Sequence, residues 1–244
     1  NCAIFFDSTS FYIKEKLLEE GIPFVLKDKQ VYLPFIGYLL SNENERKISP
    51  VHLISFLTQK VILVAIYEKW ENVTASKAAI RLGVTKMSAN RCFDEIEYLN
   101  VDILGMKGKS RVITVPADIQ KLWNDVRVIL RNPVIARYEL KEDIQLGKKA
   151  GITALCEYSL LSDNEYPTYA ITKKEITESG IRKMKQVHSG EEIGCVVLEL
   201  GYFIDFKNKK LEDPLSVTLS LTESEKQDER IGISIKRMLE EYVW

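Results

Sequence analysis

The sequence predicts an α+β protein, in which a central helix-rich segment lies between two segments that mix helices with strands. Three observations support this class. Several stretches have apolar residues at spacings of three and four, which is the period of an amphipathic helix. Short apolar runs such as CVVLELGYFI at 195–204 favour strands. Turn residues separate these stretches, and no period of about 20 to 50 residues repeats, which excludes a solenoid.

The composition is that of an ordinary globular protein, with 45% hydrophobic and 28% charged residues among 244. The formal net charge of −1 excludes binding of a polyanion through bulk charge, so nucleic-acid binding would need a local basic surface. Residues 58–115 provide a mild one, because nine Lys and Arg against six Asp and Glu leave this segment at +3. No apolar run approaches the roughly 18 residues that span a bilayer, and the first residues show no signal-peptide pattern.

The cysteines lie 90, 64 and 39 residues apart, at Cys2, Cys92, Cys156 and Cys195. This spacing matches neither a CxxC metal pair nor the disulfide framework of a small secreted domain. We therefore expect reduced thiols in a cytoplasmic protein without membrane contact. His52 and His188 are the only histidines, and neither has a neighbour at metal-ligand spacing, so we expect no metal and no other cofactor.

Turn and linker signals divide the chain into three predicted segments: a small N-terminal α/β unit over 1–45, a central domain over 46–131 and a C-terminal α+β domain over 132–244. In the first segment, residues 11–20 predict a helix that Gly21 and Pro23 end. Two apolar runs on either side of residues 27–30 predict a β-hairpin. The polar run SNENERK at 41–47 predicts a linker.

The C-terminal segment predicts a mixture of elements. Helices are expected over 149–159 and 225–242, and strands over 168–171, 195–204 and 215–221. Asp213-Pro214 is expected to form a turn before the last of these strands. A lone acid in a strand such as Glu199 could line a pocket, but it is more often expected to face solvent or to pair with a lysine.

The central segment predicts a more specific arrangement. Helices are expected over 52–70, 74–82, 85–99 and 118–130, with hairpin strands over 102–105 and 111–115 and a tip over 106–110. Thr74 and Thr85 are residue types that cap helices, and Gly83 provides the positive φ that a tight turn needs. The segment therefore predicts two short helices, a tight turn, a longer helix and a basic hairpin. This is the order of elements in a winged helix-turn-helix.

The second helix of this motif carries side chains suited to nucleic acid. Near its N-terminus the side opposite the apolar face presents Lys86, Met87, Asn90 and Arg91, with Ser88 at the edge. Asparagine can form two hydrogen bonds with adenine, and arginine can contact guanine or phosphate. Lysines and arginines of the hairpin would contact phosphate. We therefore expect double-stranded DNA as the partner, contacted by Lys86, Ser88, Asn90, Arg91, Lys107, Lys109 and Arg111.

The stretch AAIRLGVTKMSANRCFDEIEYLN, over 78–100, resembles the MarR-type winged-helix transcriptional regulators. Ser88-Ala-Asn-Arg91 lies where such proteins often have Thr-x-Ser-Arg. The chain departs from the family at the entry to the wing, where Asn100-Val-Asp-Ile103 replaces the usual residues. The resemblance implies a winged-helix transcription regulator.

The C-terminal segment is similar to the AbiEi-type antitoxin regulators, in which a winged helix precedes an α/β domain. The residues that carry this similarity are Ala-Gly-Ile-Thr-Ala-Leu at 150–155 and Pro-Thr-Tyr-Ala-Ile at 167–171. The similarity implies a transcription autoregulator that opposes a partner toxin.

No motif supports an enzyme. Gly108-Lys-Ser110 has the form of the end of a phosphate loop, but Ile103 stands where that loop needs glycine. Glu139-Leu-Lys141 has the E-x-K form of some metal-dependent nucleases, but no aspartate on a preceding strand accompanies it. The sequence predicts a DNA-binding transcription regulator that forms a homodimer, because one small domain contacts only a short half-site. The alternative is an antitoxin-like or adaptor protein whose C-terminal domain binds a protein partner.

Overall fold

A computed structural model describes residues 2–27, 29–36, 38–41, 53–162, 166–184, 186–188, 190–207 and 210–244. Within these ranges the chain forms ten α-helices and three small sheets, so the predicted α+β class is confirmed. It divides into two compact units, Asn1–Ile54 with Trp70–Pro116, and Ser55–Lys69 with Ala117–Trp244. The boundaries of these two units differ from those of the three predicted segments. The helix that ends before residue 70 belongs to the same unit as the C-terminal residues.

The elements follow in chain order. Up to the hairpin they are β1 (Ile4–Phe6), α1 (Phe11–Glu19), β2 (Phe24–Leu26), β3 (Gln30–Leu33), β4 (Tyr38–Ser41), α2 (Phe56–Tyr67), β5 (Val73–Thr74), α3 (Ala75–Leu82), α4 (Lys86–Tyr98), β6 (Leu104–Lys107) and β7 (Ser110–Ile113). After it come α5 (Ile119–Val126), β8 (Val134–Leu140), β9 (Lys148–Lys149), α6 (Gly151–Tyr158), β10 (Thr168–Ile171), α7 (Lys173–Ser179), β11 (Cys195–Leu200), α8 (Pro214–Ser220), α9 (Glu223–Lys226) and α10 (Glu229–Tyr242). Two short 3-10 helices lie at Pro34–Ile36 and Ile181–Lys183.

The first unit contains two sheets. One has the strand order β1-β2-β3-β4, with β1 parallel to β2 and the other pairs antiparallel. The predicted helix and hairpin of the N-terminal segment are thereby confirmed as α1 and β2–β3, whereas β4 was not predicted. Residues 42–47 of the predicted linker lie outside the described residues. The other sheet is antiparallel with the order β5-β7-β6, and β5 was likewise not predicted.

The second unit is built around a sheet with the order β8-β11-β10-β9. Strand β11 is parallel to β10 and antiparallel to β8, and all six of its residues are buried. Side chains such as Val197 pack on one face of the sheet and Val196 on the other, so apolar residues cover both faces. The strands predicted over 168–171 and 195–204 are confirmed, although β11 ends at Leu200.

The strand predicted over 215–221 is wrong, because these residues form helix α8. Asp213 caps this helix and Pro214 is its first residue, so the predicted Asp213-Pro214 turn is a helix start. The alternating sequence misleads because α8 is buried almost all round and has no solvent face to impose a helical period. The Thr218 hydroxyl donates to the Pro214 carbonyl at 3.0 Å, which satisfies a polar group inside the helix layer.

The other predicted helices are confirmed with shorter bounds. Residues 149–159 contain α6, although Lys149 belongs to β9. Residues 118–130 contain α5, 225–242 are divided between α9 and α10, and 52–70 contain α2, although His52 lies outside the described residues. Helix α2 is buried along most of its length, which explains its uniformly apolar sequence. Its buried Gln59 donates to the Arg131 carbonyl and the Tyr202 hydroxyl, both at 2.9 Å. No helix in the described ranges is long and apolar enough to cross a membrane.

Candidate nucleic-acid interface

Threonine hydroxyls begin both helices of the predicted DNA-binding motif. Thr74 Oγ1 accepts a hydrogen bond from the Lys77 backbone at 3.4 Å, and Thr85 Oγ1 accepts one from the Ser88 backbone at 3.1 Å. Between the helices, Gly83 ends α3 with a φ of 66°, a conformation that glycine adopts without steric cost. The two predicted caps and the predicted turn are confirmed. The caps and the turn occur at the predicted residues, because helix capping depends on groups that are close in sequence.

Helix α4 has one buried face and one exposed face. The buried side chains follow the spacing of three and four expected of a helix on a core: Ala89, Cys92, Phe93 and Ile96. On the opposite side of the first two turns, Arg91 is exposed and Met87 is 66% exposed, and Lys86, the first residue of the helix, is exposed as well. The core therefore fixes the helix from one side and leaves this surface open to a partner.

Two of the predicted contact residues lie at the edges of that surface. Ser88 is half-buried, and its hydroxyl lies 2.9 Å from Thr85 Oγ1, so it belongs to the helix cap. Asn90 is also half-buried, and its backbone carbonyl accepts from Arg111 Nη2 at 3.5 Å. The exposed part of this surface is therefore smaller than the sequence predicted. It consists of Lys86, Met87 and Arg91.

The hairpin after α4 is tighter than predicted. Strand β6 pairs with β7 up to Lys107 and Ser110, which leaves Gly108 and Lys109 as a two-residue turn in place of the predicted tip over 106–110. Gly108 has a φ of 61°, and the first central residue of a common two-residue hairpin turn requires such a positive value. Lys107 and Lys109 are exposed on this hairpin, as the phosphate-contact prediction requires.

Strand β5 joins the hairpin to the start of the motif. Its Val73 pairs with Ile113 of β7, which makes β7 the central strand of the three. Beyond the sheet, the Asn72 backbone donates to Thr114 Oγ1 at 3.1 Å, and the Val115 backbone donates to the Trp70 carbonyl at 2.8 Å. Both ends of the segment from Trp70 to Val115 are thus tied together.

Arg111 has different partners from the phosphate that the sequence predicted. Its Nη1 lies 2.8 Å from a carboxylate oxygen of Asp94 and 2.8 Å from one of Glu97, and its guanidinium lies 5.8 Å from the centre of the Phe93 ring. The side chain is only 17% exposed, because it extends from β7 across α4. Arg111 therefore attaches the hairpin to the helix, a role that only the long-range pairing of the two elements reveals.

These ion pairs also change the charge that the helix presents. Asp94 and Glu97 follow the exposed cations along α4, where their carboxylates would repel a phosphate backbone. Arg111 lies within ion-pair distance of both, and its single positive charge offsets one of their two negative charges. Lys86, Arg91, Lys107 and Lys109 are exposed, so a phosphate backbone at this surface would meet their positive charges.

Glu199, in the second unit, does not face solvent as predicted. It is 2% exposed, and its Oε2 accepts from Arg182 Nη2 at 3.2 Å and from the Tyr138 hydroxyl at 3.3 Å. The expectation fails because β11 is covered on both faces, so alternation along it has no solvent side. The predicted lysine partner is an arginine.

A buried carboxylate pair, Glu212 and Asp213, was not singled out in the sequence. Glu212 Oε2 accepts from the Gly151 backbone at 3.0 Å, at the start of α6, and from the Ser220 hydroxyl at 3.3 Å. Asp213 Oδ1 accepts from the Tyr67 hydroxyl at 2.7 Å and from the Ser216 backbone. Asp213 is the N-cap of α8, and Glu212 lies against the first amide of α6, so both side chains are at helix N-termini, which favour negative charge.

Burial governs the protonation of this pair. Loss of solvent raises the pKa of Glu212 to about 8, against the smaller opposing effect of the Gly151 hydrogen bond. Burial also raises the pKa of Asp213. It raises the pKa of Tyr67 as well, with a further contribution from the Asp213 carboxyl, so this tyrosine remains a hydrogen-bond donor at neutral pH.

The described residues contain no group of three or more His, Cys, Asp or Glu side chains that could hold a metal ion. The residues of the E-x-K pattern are in separate ion pairs, with Glu139 3.1 Å from Arg137 and Lys141 2.6 Å from Glu191. All four cysteines are free thiols.

A groove of about 740 Å³ opens in the second unit between α5, α8 and α10. Trp123, Leu239 and Trp244 line it with apolar surface, and Arg127 adds a positive charge. Its volume lies in the range of small-molecule sites.

Comparison of the chain with protein-family models, curated proteins and solved structures finds no match. The resemblances to the MarR-type and AbiEi-type regulators therefore stay predictions from the residues that carry them.

Proposed function

We propose that this protein is a sequence-specific, DNA-binding transcription regulator that acts through a winged helix-turn-helix. In this proposal α4 enters the major groove, and the β6–β7 hairpin contacts the adjacent phosphates. The protein acts as a homodimer, since a single small motif contacts only a short half-site.

The observation that carries the proposal is the order of elements and strands from β5 to β7. A short strand, two helices joined by a glycine turn, and a hairpin follow one another, and the first strand pairs with the last to give the order β5-β7-β6. This order of elements and strands is the one expected of a winged-helix domain, and it therefore supports the proposal. It ties the hairpin to the same small sheet that begins the motif, so the wing and the helix have a defined relative position.

Electrostatics supports the same proposal. Lys86 and Arg91 on α4, together with Lys107 and Lys109 on the hairpin, are exposed cations in a chain whose net charge is −1. Exposed lysines and arginines supply the salt-dependent part of DNA affinity. The cations that such binding needs are thus present on the two elements that would contact the duplex.

The test is a gel-shift titration of the full chain with the DNA upstream of its own gene, at several salt concentrations. Arg91→Ala and Lys109→Ala should each weaken the shift, and each should reduce the salt slope by about 0.9, the loss expected for one phosphate contact. Lys121→Ala is the matched control, because it removes an exposed cation from α5, outside the motif.

If all three variants bind as the parent does, α4 and the hairpin are not the DNA surface. If the parent shows only weak affinity that is equal for all duplexes, the specific-regulator proposal fails.

The groove of the second unit favours the alternative function, an antitoxin-like or adaptor protein that holds a partner in its C-terminal part. Val128, at the rim of the groove, is 77% exposed, although it is apolar. A protein partner would protect residues 119–128 from hydrogen exchange, whereas DNA would protect 86–91 and 107–111. A neighbouring gene for a nucleotidyltransferase-like toxin would also favour this alternative.

A further inference from the structure

We infer that Met87 makes this protein select DNA sites with a thymine at one position of each half-site, by contact with the C5-methyl group of that base. The inference rests on the proposed DNA-binding function. It goes beyond that function by naming a base and the residue that distinguishes it.

Met87 is exposed on the side of α4 that faces away from the core. It lies in the first turn of α4, between Lys86 and the exposed Arg91, and 66% of its surface is open to solvent. The core of α4 lies on the opposite face, so packing inside the unit does not account for a methionine here. On α4, Met87 is an exposed apolar side chain beside the exposed cations Lys86 and Arg91.

Chemistry carries the second step. In the major groove, thymine alone among the four bases presents a methyl group, and apolar side chains recognise it by contact. Methionine is long and flexible, so its thioether can reach a base edge from a helix that lies in the major groove. Lysine and arginine neighbours would hold the helix against the backbone, while Met87 faces the base edges. Burying about one methyl group between protein and base corresponds to about a fourfold difference in affinity.

The experiment begins with duplexes recovered by the full chain from a random-sequence pool. Each thymine of the recovered site is then replaced in turn by deoxyuridine, which removes the methyl group and keeps every hydrogen-bonding group. At one thymine per half-site, the parent should lose about fourfold in affinity. Met87→Ala should bind the thymine site about as weakly as the parent binds the uracil site, and should not distinguish the two. Met87→Leu should retain the preference.

Two control variants show whether the effect belongs to this side chain. Met184→Ala makes the same change in the second unit and should keep the full thymine preference. Met106→Ala removes the exposed methionine of strand β6 and should also keep it. If the preference disappears with Met106→Ala instead, the contact lies in the hairpin and the inference is wrong.

The remaining outcomes are also decisive. If uracil is tolerated at every position, or if Met87→Ala still distinguishes uracil from thymine, Met87 does not recognise the methyl group, and the proposed function stands without it. If the pool yields no enriched sequence, the proposed function fails, and the inference fails with it.

Discussion

Replacing Arg111 by alanine separates two roles that its position in the sequence does not distinguish. As a residue of a basic hairpin it would neutralise a phosphate, whereas in the structure its guanidinium joins strand β7 to Asp94 and Glu97 of α4. We expect Arg111→Ala to loosen the hairpin and to weaken DNA binding through this loosening, without the loss of a phosphate contact.

The size of the effect follows from the exposure of the three side chains. Loss of one partner of a buried ion pair costs about 3–5 kcal/mol, and loss of an exposed pair about 0–1 kcal/mol. The Asp94 side chain is 19% exposed and lies nearer the buried limit, whereas Glu97 is 39% exposed and contributes little. We therefore expect Arg111→Ala to lower the free energy of opening the hairpin by about 2 kcal/mol.

Hydrogen exchange of peptides that cover 104–113 measures this loss directly, because the hairpin amides exchange when the hairpin opens. A change of about 2 kcal/mol corresponds to about a thirtyfold faster exchange of the slowest amides. Arg91→Ala is the matched control, since it removes an exposed cation of α4 and should leave this exchange unchanged. Adding Asp94→Asn and Glu97→Gln to Arg111→Ala should restore part of the protection, because no uncompensated carboxylate then remains.

DNA binding provides the second measurement. Lys107→Ala and Lys109→Ala should each lower the salt slope by about 0.9, whereas the Arg111→Ala variant with both acids neutralised should keep the parental slope. If this combined variant instead loses about 0.9 in slope while Arg111→Ala leaves the hairpin exchange unchanged, Arg111 contacts phosphate and the structural role is refuted.

Three further predictions concern the stability of the elements around these sites. Thr85→Ala removes the cap of α4 and should cost about 1 kcal/mol in urea unfolding, with Thr85→Ser nearly neutral; equal losses for both would argue against the cap. Gly201→Ala places a methyl group 2.5 Å from the Phe56 ring, so it should lower the melting temperature by the equivalent of about 1–3 kcal/mol, unless Phe56→Leu accompanies it. Glu212→Gln should flatten the pH dependence of stability between about pH 5 and pH 8, and an unchanged profile would place the titration elsewhere.

The sign of the last effect follows from the raised pKa of Glu212. Folding moves this pKa from its ordinary value of 4.5 to about 8, so between these values the folded state holds a proton that the unfolded state has released. Stability therefore falls as the pH rises through this window, by about 5 kcal/mol at most. The pKa of Asp213 is raised as well, so this carboxyl adds a dependence of the same sign that Glu212→Gln leaves in place.

The parts of the fold that the sequence predicted are those that local chemistry determines. Thr85 and Gly83 identify the helix ends through groups three or fewer residues away, and the apolar face of α4 follows from its spacing. Strand β5 was not predicted, because two residues are too few to show the alternation of apolar and polar side chains typical of a strand. It is a strand only because it pairs with β7. Helix α8 was mistaken for a strand because burial on all sides removes the polar face that distinguishes the two periods.

The charge exposed at the candidate site was also difficult to predict from the sequence, because it depends on pairing between distant elements. Residues 86–111 contain five lysines and arginines and four aspartates and glutamates, which nearly cancel in the sequence. In the fold, Arg111 reaches from β7 to Asp94 and Glu97, so the least exposed cation lies against two of the acids and offsets one of their two negative charges. Lys86, Arg91, Lys107 and Lys109 remain exposed, whereas Asp94, Glu97 and Arg111 are half-buried. A weak net charge in a sequence window is therefore poor evidence against nucleic-acid binding, since folding decides which charged side chains are exposed and which are half-buried against one another.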